Sequence, residues 1–319
     1  MKNVEAARDL ARKGRVAEAV ATLEAQGQEG SAASFIELAL WYLSGSPVER
    51  DLTRTRAYFG RAAELGDAQA RYIYLSLLAN GTGGAQDWPE AMRLLAALAA
   101  TDRAAAEELT ILTGMHLDEC GNTVATPETE TLSHRPEVRV FRGLLSPQEC
   151  AYLIARAAPR MAPSTVVDSK TGQTLKNPVR TSDAMGFPWI QESPFIHAIN
   201  RRLAAASGLG VECGEPLQVL RYRPGQEYRP HHDGLPGEDN QRVMTALVYL
   251  NEGYEGGETK FLHSSLAFKG DVGDALLFRN ATDDGRPDPE SLHAGLPVMS
   301  GEKLLASRWI RQKPFGPRT

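Results

Sequence analysis

The chain has 319 residues, 42% of them hydrophobic and 24% charged, and a formal net charge of -5. Single cores seldom grow past roughly 250 residues, so two domains are expected. The acidic balance gives no basic excess to attract a nucleic-acid backbone, and no window approaches the ~20 apolar residues of a membrane span, so neither is an expected partner.

The N-terminus MKNVEAARDLARKGRVAEA lacks the continuous apolar core of a signal peptide, which predicts a soluble, cytoplasmic protein. Cys120, Cys150 and Cys213 are odd in number and widely spaced, and are expected as packing thiols rather than a disulfide framework or zinc cluster.

Residues 1–115 repeat. Gly45 and Gly81, Asp51 and Asp87, Ala63 and Ala99, and Ala68 and Ala104 each stand 36 apart. The offset runs backward as well, from Ala57 to Ala21 and from Gly66 to Gly30, which predicts about three helical-hairpin units ending near Thr113. The punctuation agrees, with Gly66 stopping one helix, Asp67 capping the next, and Asp87-Trp88-Pro89-Glu90 placing cap, early proline and acid in order. The pattern resembles Sel-like repeats of the tetratricopeptide superfamily. Its single alanines and leucines are ordinary helix packing, but such a solenoid can present one face to a protein partner. Residues 116–135, polar and bearing threonine and glutamate, are read as a linker.

From residue 136 to 319 the period changes. VRVF predicts a strand, and helices are expected near Gln148–Ala158 and Ser193–Ala206. Strands follow at LQVLRYR, TALVYLN, ETKFL, SLAFK, DALLFRN and LLASRWIRQ, a run that suggests an all-β sandwich or jelly roll flanked by helices. Gly256-Gly257 is expected to turn TALVYLN into ETKFL as a hairpin and aim Thr259 inward.

The chemistry gathers around YRPGQEYRPHHDG. On a strand, side chains two apart share a face, so His231 and Asp233 are expected to reach one ion while His232 points away. His293, in SLHAGLPV, is the candidate third ligand. Two histidines and one carboxylate are the donor set of mononuclear iron(II) oxygenases and leave three positions open. His116, His134, His197 and His263 are read as ordinary core or surface residues. Lys303 stands on a mostly apolar strand, where a buried ammonium requires an anionic partner such as a dicarboxylate cosubstrate.

The ordered set Tyr222-x-x-Gly225-Gln226-x-Tyr228-x-x-His231-x-Asp233, RVMTALVYLN, Gly256-Gly257-Glu258-Thr259, GDALLF, then SLHAGLPV with Lys303 and Trp309, resembles the prolyl 4-hydroxylase catalytic domain over about residues 136–315. The resemblance implies a double-stranded β-helix (jelly roll) that uses iron(II), 2-oxoglutarate and L-ascorbate. It implies His231, Asp233 and His293 as metal ligands and catalytic residues, and Lys303 on the distal carboxylate of 2-oxoglutarate. Tyr222, Thr259 and Trp309 would line that pocket, and Arg180 and Arg242 would lie near a peptide groove. The reaction would hydroxylate peptidyl proline at C4 and release succinate and carbon dioxide, with residues 168–178 as a loop over the substrate. Residues 234–241 carry no aromatic to grip a proline, which leaves another residue or a small molecule as alternative substrate. A repeat-based interaction protein with a non-catalytic jelly roll, and a metal-dependent hydrolase, are the competing readings. Lys303 and Thr259 argue against the hydrolase.

Overall fold

A computed structural model describes residues 2–124, 128–167, 174–176 and 179–316. The chain divides into two compact units, residues 1–122 with 189–197 and 316–319, and residues 123–188 with 198–315.

The first unit is helical: α1 (Lys2–Arg12), α2 (Val16–Gln28), α3 (Ala32–Ser44), α4 (Leu52–Glu64), α5 (Ala68–Asn80), α6 (Trp88–Ala99) and α7 (Arg103–Gly114). The 36-residue repeat is written in its caps. Asp51 and Asp87 accept the N3 amides of α4 and α6, Ser31 and Asp67 those of α3 and α5, and Gly45 and Gly81 end α3 and α5 in the left-handed conformation. Ala19, Leu23, Leu38, Phe59, Ala62, Ala70 and Leu77 form its core. Residues 189–197 belong to this unit although the sequence reading put them in the C-terminal domain. Asn80 Nδ2 donates to Trp189 O at 2.8 Å, and Phe195 N donates to the buried Glu108 Oε1 at 3.0 Å.

The second unit contains β1 (Thr129–His134), β2 (Glu137–Phe141), α8 (Pro147–Ala157), β3 (Ala162–Pro163), β4 (Thr165–Val167), β5 (Thr174–Lys176), β6 (Asp183–Gly186) and most of α9 (Pro194–Ser207). Then come β7 (Gln218–Tyr222), β8 (Tyr228–His231), β9 (Arg242–Tyr249), β10 (Glu255–Gly256), β11 (Thr259–Phe261), β12 (Ala267–Phe268), β13 (Ala275–Arg279), β14 (His293–Gly295), β15 (Val298–Ser300) and β16 (Lys303–Arg311). An eight-stranded sheet runs β1-β2-β13-β9-β16-β7-β6-β3 and a four-stranded one β12-β11-β14-β8, with antiparallel pairing throughout. Their inner faces meet in one core, with Val138, Val140, Leu247, Tyr249, Leu276 and Phe278 from the larger sheet and Phe261 and Phe268 from the smaller. This is the expected jelly roll. α8 opens with a Ser146/Glu149 capping box, and Glu149 also takes a two-pronged bond from Arg202 of α9 at 2.8 and 3.0 Å.

Three expectations need correction. Residues 129–134, read as linker, are β1, because TETLSH pairs with EVRVF across the cis Arg135-Pro136 turn. TALVYLN and ETKFL do not form a hairpin, since β9 lies in the large sheet and β11 in the small one. Gly256 and Gly257 carry the chain between them, both in the left-handed region at φ +71, and a Cβ on Gly256 would stand 2.5 Å from Pro297 O. Finally, Cys150 and Cys213 are buried as expected, but Cys120 is exposed. Of the loop expected at residues 168–178, only 174–176 are described, as β5 paired with β4, and the remainder lies outside the described residues.

Candidate active site

Three cross-strand pairs build the site. His231 of β8 faces His293 of β14, Tyr222 of β7 faces Lys303 of β16, and Thr245 of β9 faces Trp309 of β16. Because strand side chains alternate, Lys303, Leu305, Ser307 and Trp309 all project to one face of β16 and line one cleft. Leu220 and Tyr222 of β7, Leu247, Thr259, Arg180, Tyr228 and the His231, Asp233 and His293 cluster complete its wall.

His231, Asp233 and His293 place one donor atom each within 4.8 Å of one another. His231 Nε2 stands 3.6 Å from Asp233 Oδ1, and His293 Nε2 stands 3.6 Å from Asp233 Oδ2. Both rings are oriented through their other nitrogen, His231 Nδ1 against Arg229 O at 2.8 Å and His293 Nδ1 against Ser291 O at 2.9 Å. A carbonyl can only accept, so each Nδ1 carries the proton and each Nε2 offers a lone pair. His231 Nε2 is buried without a hydrogen-bond partner among the described residues. That combination of aimed lone pairs, carboxylate and an orphaned buried nitrogen fits a divalent transition metal.

The electrostatics agree. Burial opposes the charge on Asp233, yet His231, His293 and the hydroxyl of Thr245 hold its carboxyl well below the usual range. Burial, helped by His231 and opposed by Asp233, pushes His293 down to about 4 and keeps it neutral. Asp233 departs from expectation in one respect: it lies beyond the end of β8, not on the strand. A shared strand face therefore does not bring it to His231. The bend after His231 does, and Thr245 Oγ1 secures it by donating to Asp233 Oδ2 at 2.6 Å. His232 is exposed as expected, with Nδ1 3.4 Å from Ser291 Oγ.

Lys303 is buried at the other end of the cleft. One of its three N–H bonds goes to Gly257 O at 2.6 Å, and among the described residues no carboxylate lies within ion-pair distance. Burial pushes its pKa down to about 8, against the pull of Glu258. Tyr222 and Thr259 place hydroxyls on the same cleft, where burial pushes Tyr222 up to about 12 and Thr259 Oγ1 is 2.9 Å from Tyr249 Oη. The indole Nε1 of Trp309 is buried without a partner among the described residues.

Arg180 lines this cleft and a neighbouring one formed with Pro163, Ser164, Ser182, Asp183 and Gln226. Arg242 does not line it. Its guanidinium forks onto Glu215 at 2.6 and 2.9 Å and stacks 3.8 Å over the Trp309 ring. Three features carried no assignment from sequence. Tyr228 lies on His231, Asn280 stands behind Thr245, and Leu220, Leu247 and Leu305 form the apolar wall. The i, i+2 spacing of Leu247 with Thr245 and of Leu305 with Lys303 was the available signal for two of the three leucines.

Residues 217–311 match the family model described as the 2OG-Fe(II) oxygenase superfamily. Prolyl 4-hydroxylase 1 of Arabidopsis thaliana is 43% identical over 209 residues, covering 60% of this chain and 74% of the relative. Probable prolyl 4-hydroxylase 3 of the same plant is 39% identical over 206 residues, 57% of this chain and 71% of the relative. Among solved structures, the viral collagen prolyl hydroxylase of Paramecium Bursaria Chlorella virus-1 in its 2OG complex is 34% identical. It covers 55% of this chain and 95% of its own, with a TM-score of 0.44. The chain thus belongs to the prolyl 4-hydroxylase family of iron(II)- and 2-oxoglutarate-dependent oxygenases.

Proposed function

We propose that this protein hydroxylates peptidyl proline at C4, consuming 2-oxoglutarate and dioxygen and releasing succinate and carbon dioxide, with L-ascorbate as supporting reductant. One observation carries the reading: a triad of metal donors and a buried lysine lacking a carboxylate partner among the described residues share one cleft.

His231, Asp233 and His293 would hold iron(II). When bound, the iron supplies oxygen activation coupled to oxidative decarboxylation of 2-oxoglutarate. The chain's own residues do the rest. Lys303 binds the distal carboxylate of the cosubstrate, with Tyr222 and Thr259 adding hydroxyl contacts at the same end. Leu220, Leu247 and Leu305 pack its methylenes and exclude water, which strengthens the Lys303 ion pair. The Trp309 indole closes one side, held by Arg242, and that places Arg242 behind the pocket wall. Arg180, which lines both clefts, would lie against a bound peptide. The helical repeats would recruit that protein substrate in the cytoplasm.

Metal-free protein reconstituted with iron(II), ascorbate and 2-oxoglutarate should release succinate, and proline-containing peptides should gain one oxygen at proline by mass spectrometry. No succinate, with or without peptide, sinks the proposal. A one-oxygen gain on another residue would keep the chemistry and replace the substrate. His231→Ala and Asp233→Ala should abolish turnover.

A further inference from the structure

Asp233 stands past the end of its strand, so something other than the sheet ladder must fix its carboxylate. Two buried side chains do so in series. Asn280 Nδ2 donates to Thr245 Oγ1 at 2.7 Å, and Thr245 Oγ1 donates to Asp233 Oδ2 at 2.6 Å. The three side chains come from separate segments, the loop after β8, strand β9 and the residue after β13, and each is at least nine-tenths buried.

The order of donors matters because a hydroxyl carries a single proton. With the Asn280 amide N–H filling a lone pair of Thr245, the threonine proton is left for Asp233. A reversed carboxamide would present Oδ1 to Thr245 and compete for that proton. The Asn280 backbone is pinned on both sides, its N donating to Val243 O at 2.9 Å and its O accepting from Asp288 N at 2.8 Å. Gly234 sits so close that a Cβ there would stand 3.2 Å from Asn280 O.

We infer that Thr245 and Asn280 are positioning residues of the metal centre: their directed hydrogen-bond chain fixes the orientation of the Asp233 carboxylate and so aims it at the point that His231 and His293 share. Asp233 Oδ2 keeps a second lone pair beside that bond, so the carboxylate stays able to bind a metal while the chain holds its orientation. The inference rests on the reading of His231, Asp233 and His293 as a metal site.

The test uses full-length, metal-free protein and Co(II) alone as probe, followed by calorimetry and by the Co(II) visible absorption band, with thermal melting alongside. Thr245→Val should weaken Co(II) binding by about 10–100-fold and change the intensity of the band, while Thr245→Ser should stay near the parent value. Asn280→Leu should weaken binding by about threefold to tenfold in the parent and have no further effect beside Thr245→Val, as expected for links of one chain. If Thr245→Val does not fold, the Thr245→Ser and Asn280→Leu pair decides, and parent-like affinity in Asn280→Leu overturns the role of the chain. A Thr245→Val protein that melts earlier but binds Co(II) like the parent shows a merely structural threonine and also overturns it. Losses that add independently in the double variant do the same. Should the parent itself bind no Co(II), the metal reading falls and the inference with it, a failure distinct from those seen only in the variants.

Discussion

Tyr228 lies flat on His231, with ring centroids 3.4 Å apart and planes inclined by 16°. The phenol ring covers one face of a metal-donor imidazole whose Nδ1 is already tied to Arg229 O, so the ring is fixed both in plane and in tilt. Aromatic pairs contribute about 0.5–1.5 kcal/mol beyond the area they bury. Tyr228→Ala should therefore weaken Co(II) binding by about twofold to tenfold, and Tyr228→Phe should leave it unchanged. A titration in which both variants match the parent would show that the stack does not orient His231.

On the proposed reading, Lys303 makes cosubstrate binding depend on pH. Its charged form is the one that pairs with a carboxylate, and burial lowers its pKa from 10.5 to about 8. The KM for 2-oxoglutarate should be flat below that value and rise above it, approaching tenfold per pH unit once the lysine is neutral. Without cosubstrate the sign reverses. Between about 8 and 10.5 the unfolded chain holds a proton that the folded chain has lost, so this group makes stability rise with pH there and adds no slope below. Urea melts at pH 7 to 10 should show that rise in the parent and not in Lys303→Met. A KM that stays constant from pH 7 to 9.5 would refute the role of Lys303.

Gly257 is where the backbone touches the lysine. It sits at φ +71, and an added Cβ would stand 3.1 Å from Lys303 Cδ and 3.2 Å from Val298 Cγ2. Gly257→Ala combines left-handed strain, about 1–2 kcal/mol, with displacement of the lysine stem. The expected result is a KM for 2-oxoglutarate raised by about tenfold while Co(II) affinity holds. Parallel losses of both would mean that the change spreads beyond the lysine.

In the helical unit, Asp87 caps α6 by accepting from Glu90 N at 3.0 Å. Asp87→Ala should lower stability by about 1 kcal/mol, and Asp87→Ser should recover most of it. Circular dichroism during urea unfolding reads this directly. An alanine variant as stable as the parent would remove the cap from the account of the repeat.

What was legible in the sequence follows from how local each signal is. The caps at Asp51, Asp67 and Asp87 act within three residues, and the 36-residue spacing of Asp51 and Asp87 helped to expose the repeat. His231 was found through its two-residue spacing to Asp233, His293 through its place in the ordered motifs, and Lys303 because an ammonium is chemically costly on an apolar strand. Strand β1 went unread because TETLSH has little apolar alternation and gains its place only by pairing with β2. The destination of ETKFL was equally hidden, since two adjacent strands with a glycine pair between them read as a hairpin whichever sheet each joins. Arg242 shows the limit for charges: nothing nearby in sequence reveals that Glu215, 27 residues away, accepts from two of its nitrogens. Thr245 and Asn280 are ordinary polar residues until the sheet brings them behind Asp233.

The three facing pairs, His231 with His293, Tyr222 with Lys303 and Thr245 with Trp309, divide the chain by its tolerance of length change. One residue inserted within β7, β9, β14 or β16 would turn the members beyond it to the opposite face, separating partners that contribute different parts of the reaction. The same insertion at 236–239 or 282–286 leaves the register of those strands intact. Change in chain length is therefore open to the connections, while the site is inherited as an unbroken reading frame of strands.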